Sequence, residues 1–301
     1  DDKFNRAVQA LRSPGSAVKI FAYTAALERG ITPAKVYVDE PTTFTTITGE
    51  RWSPTNYSGN HLGILTVREA VERSNNVIAV KVVDELGLQT VLDTVKRFGI
   101  TTLVEQGRSN DLGLSPLALG GLTHGVTPLE LAAAYGVLAN QGIYVKPASI
   151  LWVEDAFGNV LYQHQPQQRV VLSEEVAYLM TDMLRGVIEN GTGTNAKIGR
   201  PAAGKTGTHQ NYQDAWFVGY TPELVTAVWF GADTPAPMVY GGIRYGSWNA
   251  ATIWGNYMKA AVQGTPVTDF PKPTGLVENV LIDIKTGLLV PANCGLPPNE
   301  T

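Results

Sequence analysis

The sequence predicts a mixed α/β fold of the α+β kind: an antiparallel sheet flanked by helices, with a helical subdomain beside it. Three observations carry this. Capped helix signals crowd the first half as far as Asn140. Three β-prone runs then follow one another between Pro201 and Phe230, joined by short turns. Further helical stretches stand on either side of those runs, at Glu174–Glu189 and Ala250–Val262.

The elements follow in order. Pro14-Gly15-Ser16 opens an Ala-rich apolar run from Val18 to Leu27 that Gly30 ends, so Ser16 stands at a helix N-terminus. Residues 31–65 are rich in Thr, Pro, Gly and Asn with little periodicity, and read as a long surface segment of the kind that is usually functional. Thr66-Val67-Arg68-Glu69 is a capping box opening a short helix to Arg73. A second helix runs from Asn76 through Leu86 to Gly87, with Ser74-Asn75-Asn76 at the joint. A helix over about Gln89–Phe98 stops at Gly99. Thr127-Pro128-Leu129-Glu130 combines an N-cap, an early Pro and a reciprocating Glu ahead of a helix to Asn140. Leu151–Val153 and Val160–Tyr162 flank Phe157-Gly158-Asn159 as a hairpin, and the helix at Glu174–Glu189 follows. Pro201–Thr208, Ala215–Tyr220 and Leu224–Phe230 suit an antiparallel sheet. One domain is expected over 1–264, its helical subdomain spanning about 31–145. Residues 265–301 are expected to form an extension, the Pro-rich Thr265–Pro273 linking to a hairpin at Val277–Val290 that turns at Lys285-Thr286-Gly287.

Composition narrows the function. The 301 residues carry 23 Lys+Arg against 27 Asp+Glu, a net charge of −4, and 44% are hydrophobic, which describes a soluble globular chain able to bury a sizeable core. No basic block offers a footprint for nucleic acid or an anionic membrane. The lone Cys294 cannot form an intrachain disulfide. His61, His124, His164 and His209 share no metal-ligand spacing with it or with one another, so neither a metal nor another cofactor is expected. No stretch reaches the ~20 apolar residues of a membrane span. The abrupt start at Asp1 is expected to mark a piece of a longer protein whose anchor lies elsewhere.

Three short motifs can carry chemistry. Ser16-Ala17-Val18-Lys19 puts a hydroxyl and an amine on one helix face. Serine is a weak nucleophile until a base takes its proton, and lysine serves as that base only when burial or a second cation lowers its pKa. Taken alone, such a pair is more often solvated helix surface. Ser74 and Asn76 offer a hydroxyl and a carboxamide at a helix junction, where capping is the plainer role. Gly204-Lys205-Thr206-Gly207-Thr208 lies on a predicted strand. Strict alternation puts Lys205 and Gly207 on one face and Thr206 and Thr208 on the other, and a glycine-flanked edge strand would let a ligand backbone approach.

In this order, Ser-x-x-Lys, Ser-x-Asn and Lys-Thr-Gly form the signature set of class A β-lactamases and penicillin-binding proteins. With the strings Phe4-Asn5-Arg6-Ala7, Arg12-Ser13-Pro14-Gly15-Ser16, Trp52-Ser53-Pro54-Thr55-Asn56-Tyr57, Ala203–Thr208 and Asp214–Pro222, the chain resembles the transpeptidase domain of class A (bifunctional) penicillin-binding proteins over nearly its whole length. The resemblance implies the serine β-lactamase/penicillin-binding protein transpeptidase fold and a serine D,D-transpeptidase of peptidoglycan, inhibited covalently by β-lactams. It implies Ser16 as nucleophile, Lys19 as its base with Lys205 keeping it neutral, Ser74 as proton relay and Asn76 as the group orienting the substrate amide. Thr206, Gly207 and Thr208 would bind substrate, the two threonines holding its terminal carboxylate. The backbone N–H groups of Ser16 and Thr208 would form the oxyanion hole. Its expected partners are peptidoglycan stem peptides, β-lactam antibiotics and the cell-wall synthesis machinery. Its expected place is the extracytoplasmic face of the bacterial cytoplasmic membrane, reached through an anchor absent from this chain.

Departures from the family pattern are few. The family's sheet begins with two strands ahead of the nucleophile helix, and the 15 residues before Ser16 are too few to supply them. Ile20 stands where many relatives have proline, and Asn75 fills the variable middle of Ser-x-Asn; neither is expected to touch the chemistry. A β-lactamase would add a Glu-x-x-Leu-Asn string to activate a deacylating water, and none is present. A D,D-carboxypeptidase, or a sensor or pseudoenzyme that is acylated once, remains as an alternative on the same motifs.

Overall fold

The computed structural model describes residues 3–209 and 211–290. Elements run in the order α1 (Arg6–Gln9), a 3-10 turn (Gly15–Val18), α2 (Lys19–Glu28), β1 (Val36–Asp39), β2 (Phe44–Thr45), β3 (Arg51–Trp52) and β4 (Gly63–Thr66). Next come the helices α3 (Val67–Glu72), α4 (Asn76–Leu86), α5 (Leu88–Arg97), α6 (Leu114–Leu119) and α7 (Pro128–Ala139). The second half holds β5 (Ile143–Val145), β6 (Trp152–Glu154), β7 (Val160–Gln163), β8 (Gln168–Val170) and α8 (Glu174–Glu189). It closes with β9 (Ala203–Thr208), β10 (Asp214–Tyr220), β11 (Val225–Gly231), β12 (Val239–Tyr240), β13 (Ile243–Arg244) and α9 (Ser247–Ala261).

The main sheet is antiparallel with strand order β11-β10-β9, which leaves β9 at an edge. Every residue of β10 is buried, as a central strand covered on both faces requires. Against one face lie α7 and α8, and against the other lies α9 through Trp254, tilted on Phe217 at 5.1 Å; α2, whose nine residues Lys19–Leu27 are all buried, packs among α4, α5 and α8. One hydrophobic core runs from α2 through α4, α5, α7 and α8 into β10. The expected helical subdomain therefore shares its interior with the sheet layer.

Local sequence explains the boundaries. Thr66 and Thr127 each accept from the N–H three residues on, while Glu69 and Glu130 reach back to the N-cap, so both predicted capping boxes are formed. Ser173 caps α8, and α8 starts and stops where the sequence places it.

Three expectations change. The segment 31–65 is not a featureless loop: β1 pairs with β4 over Val36↔Thr66 to Asp39↔Gly63, and β2 pairs with β3. These strands are too short for alternation to show in the sequence. Thr265–Pro273 is not a free linker, because Phe270 is buried edge-on against Tyr220 at 5.5 Å. The hairpin expected over Val277–Val290 narrows to a single bridge, Ile282↔Leu289, closed by Asp283 around the turn. Residues 3–15 contribute α1 and one bridge, Arg12↔Val126, and no strand to the sheet. Among the described residues no helix is long and apolar enough to cross a membrane. Cys294 lies outside them.

Candidate active site

The 3-10 turn that carries Ser16 is held from several sides. Trp216 on β10 donates its indole N–H to Ser13 O at 2.8 Å, and Tyr135 on α7 donates its hydroxyl to Ala17 O at 2.8 Å. On the strand side there is no room for a side chain. A Cβ on Gly207 would overlap Pro14 O, and one on Gly15, which has φ +52°, would meet Thr208 O at 2.6 Å. The backbones of the serine turn and β9 are thus in direct contact.

Lys19 begins α2, its N–H bonding back to Ser16 O. Its buried amine donates to Ser74 O at 2.7 Å and to Asn76 Oδ1 at 2.7 Å, with Ser74 Oγ at 3.3 Å. Burial holds its pKa well below the ordinary lysine value, and repulsion from Lys205 lowers it further. Burial also pulls Lys205 down to about 7. Among the described residues neither amine has a carboxylate partner; Lys19, buried with a second cation beside it, is the one driven to the neutral form.

On β9 alternation is kept. Lys205 lies opposite Val218 and Gly207 opposite Trp216, on the face toward the serine turn. Thr206 points the other way and shares a 2.7 Å hydrogen bond with Thr192. The Lys205 side chain curls back so that Nζ lies 3.3 Å from Thr206 O and 3.4 Å from its hydroxyl, bringing cation and hydroxyl together at the edge. His209 N–H bonds Asp214 O, so the neighbouring pair Thr208↔Ala215 is non-hydrogen-bonded, and Thr208 N–H points out from the sheet edge.

All three motifs therefore converge: Ser16, Lys19, Ser74, Asn76 and Lys205 around one buried amine pair, with Thr206, Gly207 and Thr208 on the adjoining edge. Ser74 is the one strained member, a non-glycine residue at φ +54°. Sequence reasoning missed the surroundings. Asn75, set aside as a variable filler, caps α4 by accepting from Ile78 N–H and donates to buried Asp39. Asn56 accepts from Asn76 N–H at 2.9 Å, and Tyr57 meets Tyr212 hydroxyl to hydroxyl at 2.9 Å, joining the loop after β3 to the turn after β9. The sequence signal for these contacts is the string Trp52–Tyr57.

The profile of the penicillin binding protein transpeptidase domain matches residues 2–258. The chain belongs to the penicillin-binding protein transpeptidase family. Penicillin-binding protein 1A of Aquifex aeolicus is 39% identical over 299 residues, covering 97% of this chain and 38% of the relative. The crystal structure of penicillin-binding protein 1A from Haemophilus influenzae superposes with a TM-score of 0.85 at 28% identity, over 97% of this chain and 48% of that one. The PonA1 protein of Mycobacterium tuberculosis in complex with penicillin V superposes with a TM-score of 0.79 at 30% identity, over 91% of this chain and 75% of that one. The chain thus spans well under half the length of the curated penicillin-binding proteins it matches. Similarity to proteins named penicillin-binding protein 1A bears out the class A resemblance, and the superpositions bear out the transpeptidase fold.

Proposed function

We propose that this domain is a serine D,D-transpeptidase that cross-links peptidoglycan stem peptides and is acylated by β-lactams. The observation that carries the proposal is the state of Lys19. A neutral amine has two N–H groups and one lone pair. The two acceptors at 2.7 Å, Ser74 O and Asn76 Oδ1, take the N–H groups, leaving the lone pair for a hydroxyl proton.

Lys19 then takes the proton of Ser16 as Ser16 Oγ attacks the carbonyl of the penultimate D-Ala. The tetrahedral oxyanion is met by the N–H groups of Ser16 and Thr208; the outward direction of Thr208 N–H supports this. As the carbonyl re-forms, the C–N bond breaks and Ser74, within reach of Lys19, passes the proton to the departing D-Ala amine. Asn76 orients the substrate amide. Thr206 and Thr208 hold the terminal carboxylate with the charge of Lys205 behind them, and the free edge of β9 suits an extended peptide added as a strand. An acceptor amine then attacks the acyl-enzyme and releases Ser16. The similar PonA1 protein, solved in complex with penicillin V, supports β-lactam binding by this domain. In the full-length protein the domain works at the extracytoplasmic face of the cytoplasmic membrane, with the cell-wall synthesis machinery.

Product analysis with a stem-peptide donor and an amine acceptor tests the reaction. Cross-linked product is expected; free acid alone makes the domain a carboxypeptidase and overturns the proposal.

A further inference from the structure

The Asp39 carboxylate is the most heavily hydrogen-bonded acid near the site, and no step of the chemistry uses it. It ends β1, its side chain is fully buried, and its charge is matched by donors instead of a lysine or arginine. Oδ2 accepts from Leu62 N–H at 2.8 Å and from Asn75 Nδ2 at 2.7 Å. Oδ1 accepts from His61 Nδ1 at 3.0 Å, and Asn56 Nδ2 reaches both oxygens at 2.9 Å. Burial alone would raise its pKa; these hydrogen bonds outweigh burial and hold the carboxyl below its ordinary value.

Two arms lead from this carboxylate to the residues around Lys19. One passes through Asn75, which lies between Ser74 and Asn76 in the chain and caps α4 with its other side-chain atom. The other passes through Asn56, whose Oδ1 takes the Asn76 N–H at 2.9 Å while Asn76 Nδ2 donates to Thr55 O at 2.7 Å. Between the two arms sits Ser74 at φ +54°, the left-handed residue that closes α3 through Ser74 N–H to Val71 O and Asn75 N–H to Ala70 O. The helix end sets that conformation, and the Asn75 side chain and the Asn76 N–H, both linked to one acid, anchor its far side.

We propose that Asp39 is a positioning residue for acylation, fixing Ser74 and Asn76 against the Lys19 amine through Asn75 and Asn56. The proposal rests on the acyl-transfer reading of Ser16. It goes beyond that reading by assigning the geometry of the helix junction to a carboxylate in a segment of short strands. Asn56 and Asn75 play the same part on the two arms: each donates from Nδ2 to the acid and accepts a backbone N–H at Oδ1.

The test compares wild type, Asp39→Asn, Asn75→Asp and the exchange variant Asp39→Asn/Asn75→Asp by stopped-flow acylation with a chromogenic cephalosporin, separating binding from the acylation rate. Asp39→Asn is expected to lower the acylation rate at least tenfold with binding changed less than threefold. The exchange variant, which restores one donor and one acceptor across the pair, is expected to recover at least threefold of that loss. Should Asp39→Asn not fold, Asn56→Ala removes one arm alone and is expected to slow acylation severalfold. Hydrogen exchange of the peptide covering 74–78 gives a readout that does not depend on chemistry. Protection is expected to fall in Asp39→Asn and to return in the exchange variant, even if wild type were not acylated at Ser16, so failure of the acyl-transfer reading is told apart from failure of this one. A folded Asp39→Asn protein with a wild-type acylation rate, or with unchanged exchange over 74–78, overturns the proposal.

Discussion

Lys19 enters the cleft from a helix and is held by hydrogen bonds to Ser74 and Asn76, whereas Lys205 comes from an edge strand and, among the described residues, donates to the oxygens of Thr206. The same contrast runs through both walls. On the helix wall, polar side chains set the geometry: Asn75 and Asn56 link Asp39 to the backbone of Asn76 and the start of α4. On the strand wall, backbone meets backbone, and the places that matter are those where a side chain is missing, at Gly207 and Gly15. The helix wall is therefore tuned by charge and hydrogen bonding, and the strand wall by steric fit.

The largest expected effect lies on the helix wall. Lys19→Met removes the base while keeping the volume, and acylation should fall by about 10³-fold or more with the fold retained, as measured by rapid-quench kinetics with penicillin and circular dichroism. A loss below tenfold would place the base elsewhere.

Gly207→Ala breaks the strand wall instead. Its Cβ overlaps Pro14 O, so β9 and the serine turn must separate, at a cost of about 1–3 kcal/mol in stability. Chemical denaturation reads the stability, and acylation should fall with it because Thr208 N–H moves relative to Ser16. An alanine variant as stable and as active as wild type would show that the contact is loose.

Lys205→Met couples the walls, and its signature is a pH profile. Wild-type acylation falls as pH drops through the depressed pKa of Lys19, where the amine gains a proton and can no longer accept one. With Lys205 gone its repulsion disappears, the pKa of Lys19 rises, and the acidic limb moves to higher pH. Stability gives a second readout. Lys205 titrates near 7 when folded and near 10.5 when unfolded, so between those values the unfolded chain binds more protons and stability rises with pH. The Met variant should lose up to about 1.4 kcal/mol per pH unit of that slope. An unshifted limb would separate the two lysines electrostatically.

Tyr57→Phe has the smallest effect. The Tyr57–Tyr212 hydrogen bond is solvent-exposed and ties the mouths of the two walls, so its loss should cost under about 1 kcal/mol and change acylation only slightly. A tenfold drop would make the tyrosine pair part of the chemistry.

The same contrast decides what could be read from sequence. The strand wall was legible because β10 is an unbroken β-prone run and Lys-Thr-Gly sits beside it, and the helix expected at Glu174–Glu189 is α8, whose Ser173 cap only the structure shows. The residues around Lys19 were legible as motifs, since Ser16, Lys19, Ser74 and Asn76 are close in pairs along the chain. Asp39 was not. It lies 36 residues from Asn75 in a segment whose strands are too short to show a period, and nothing local marks a buried acid whose partners are asparagines. Phe270 was hidden for a similar reason, because a proline-rich stretch carries no periodicity to reveal that one aromatic docks on Tyr220.

The central claim is that both walls converge on the hydroxyl of Ser16. Mass spectrometry of the intact domain after incubation with penicillin, followed by peptide mapping, tests it most directly. One penicilloyl group per chain on the peptide containing Ser16, absent in Ser16→Ala, is the predicted result. Modification at any other residue, or none in a folded protein, would contradict it.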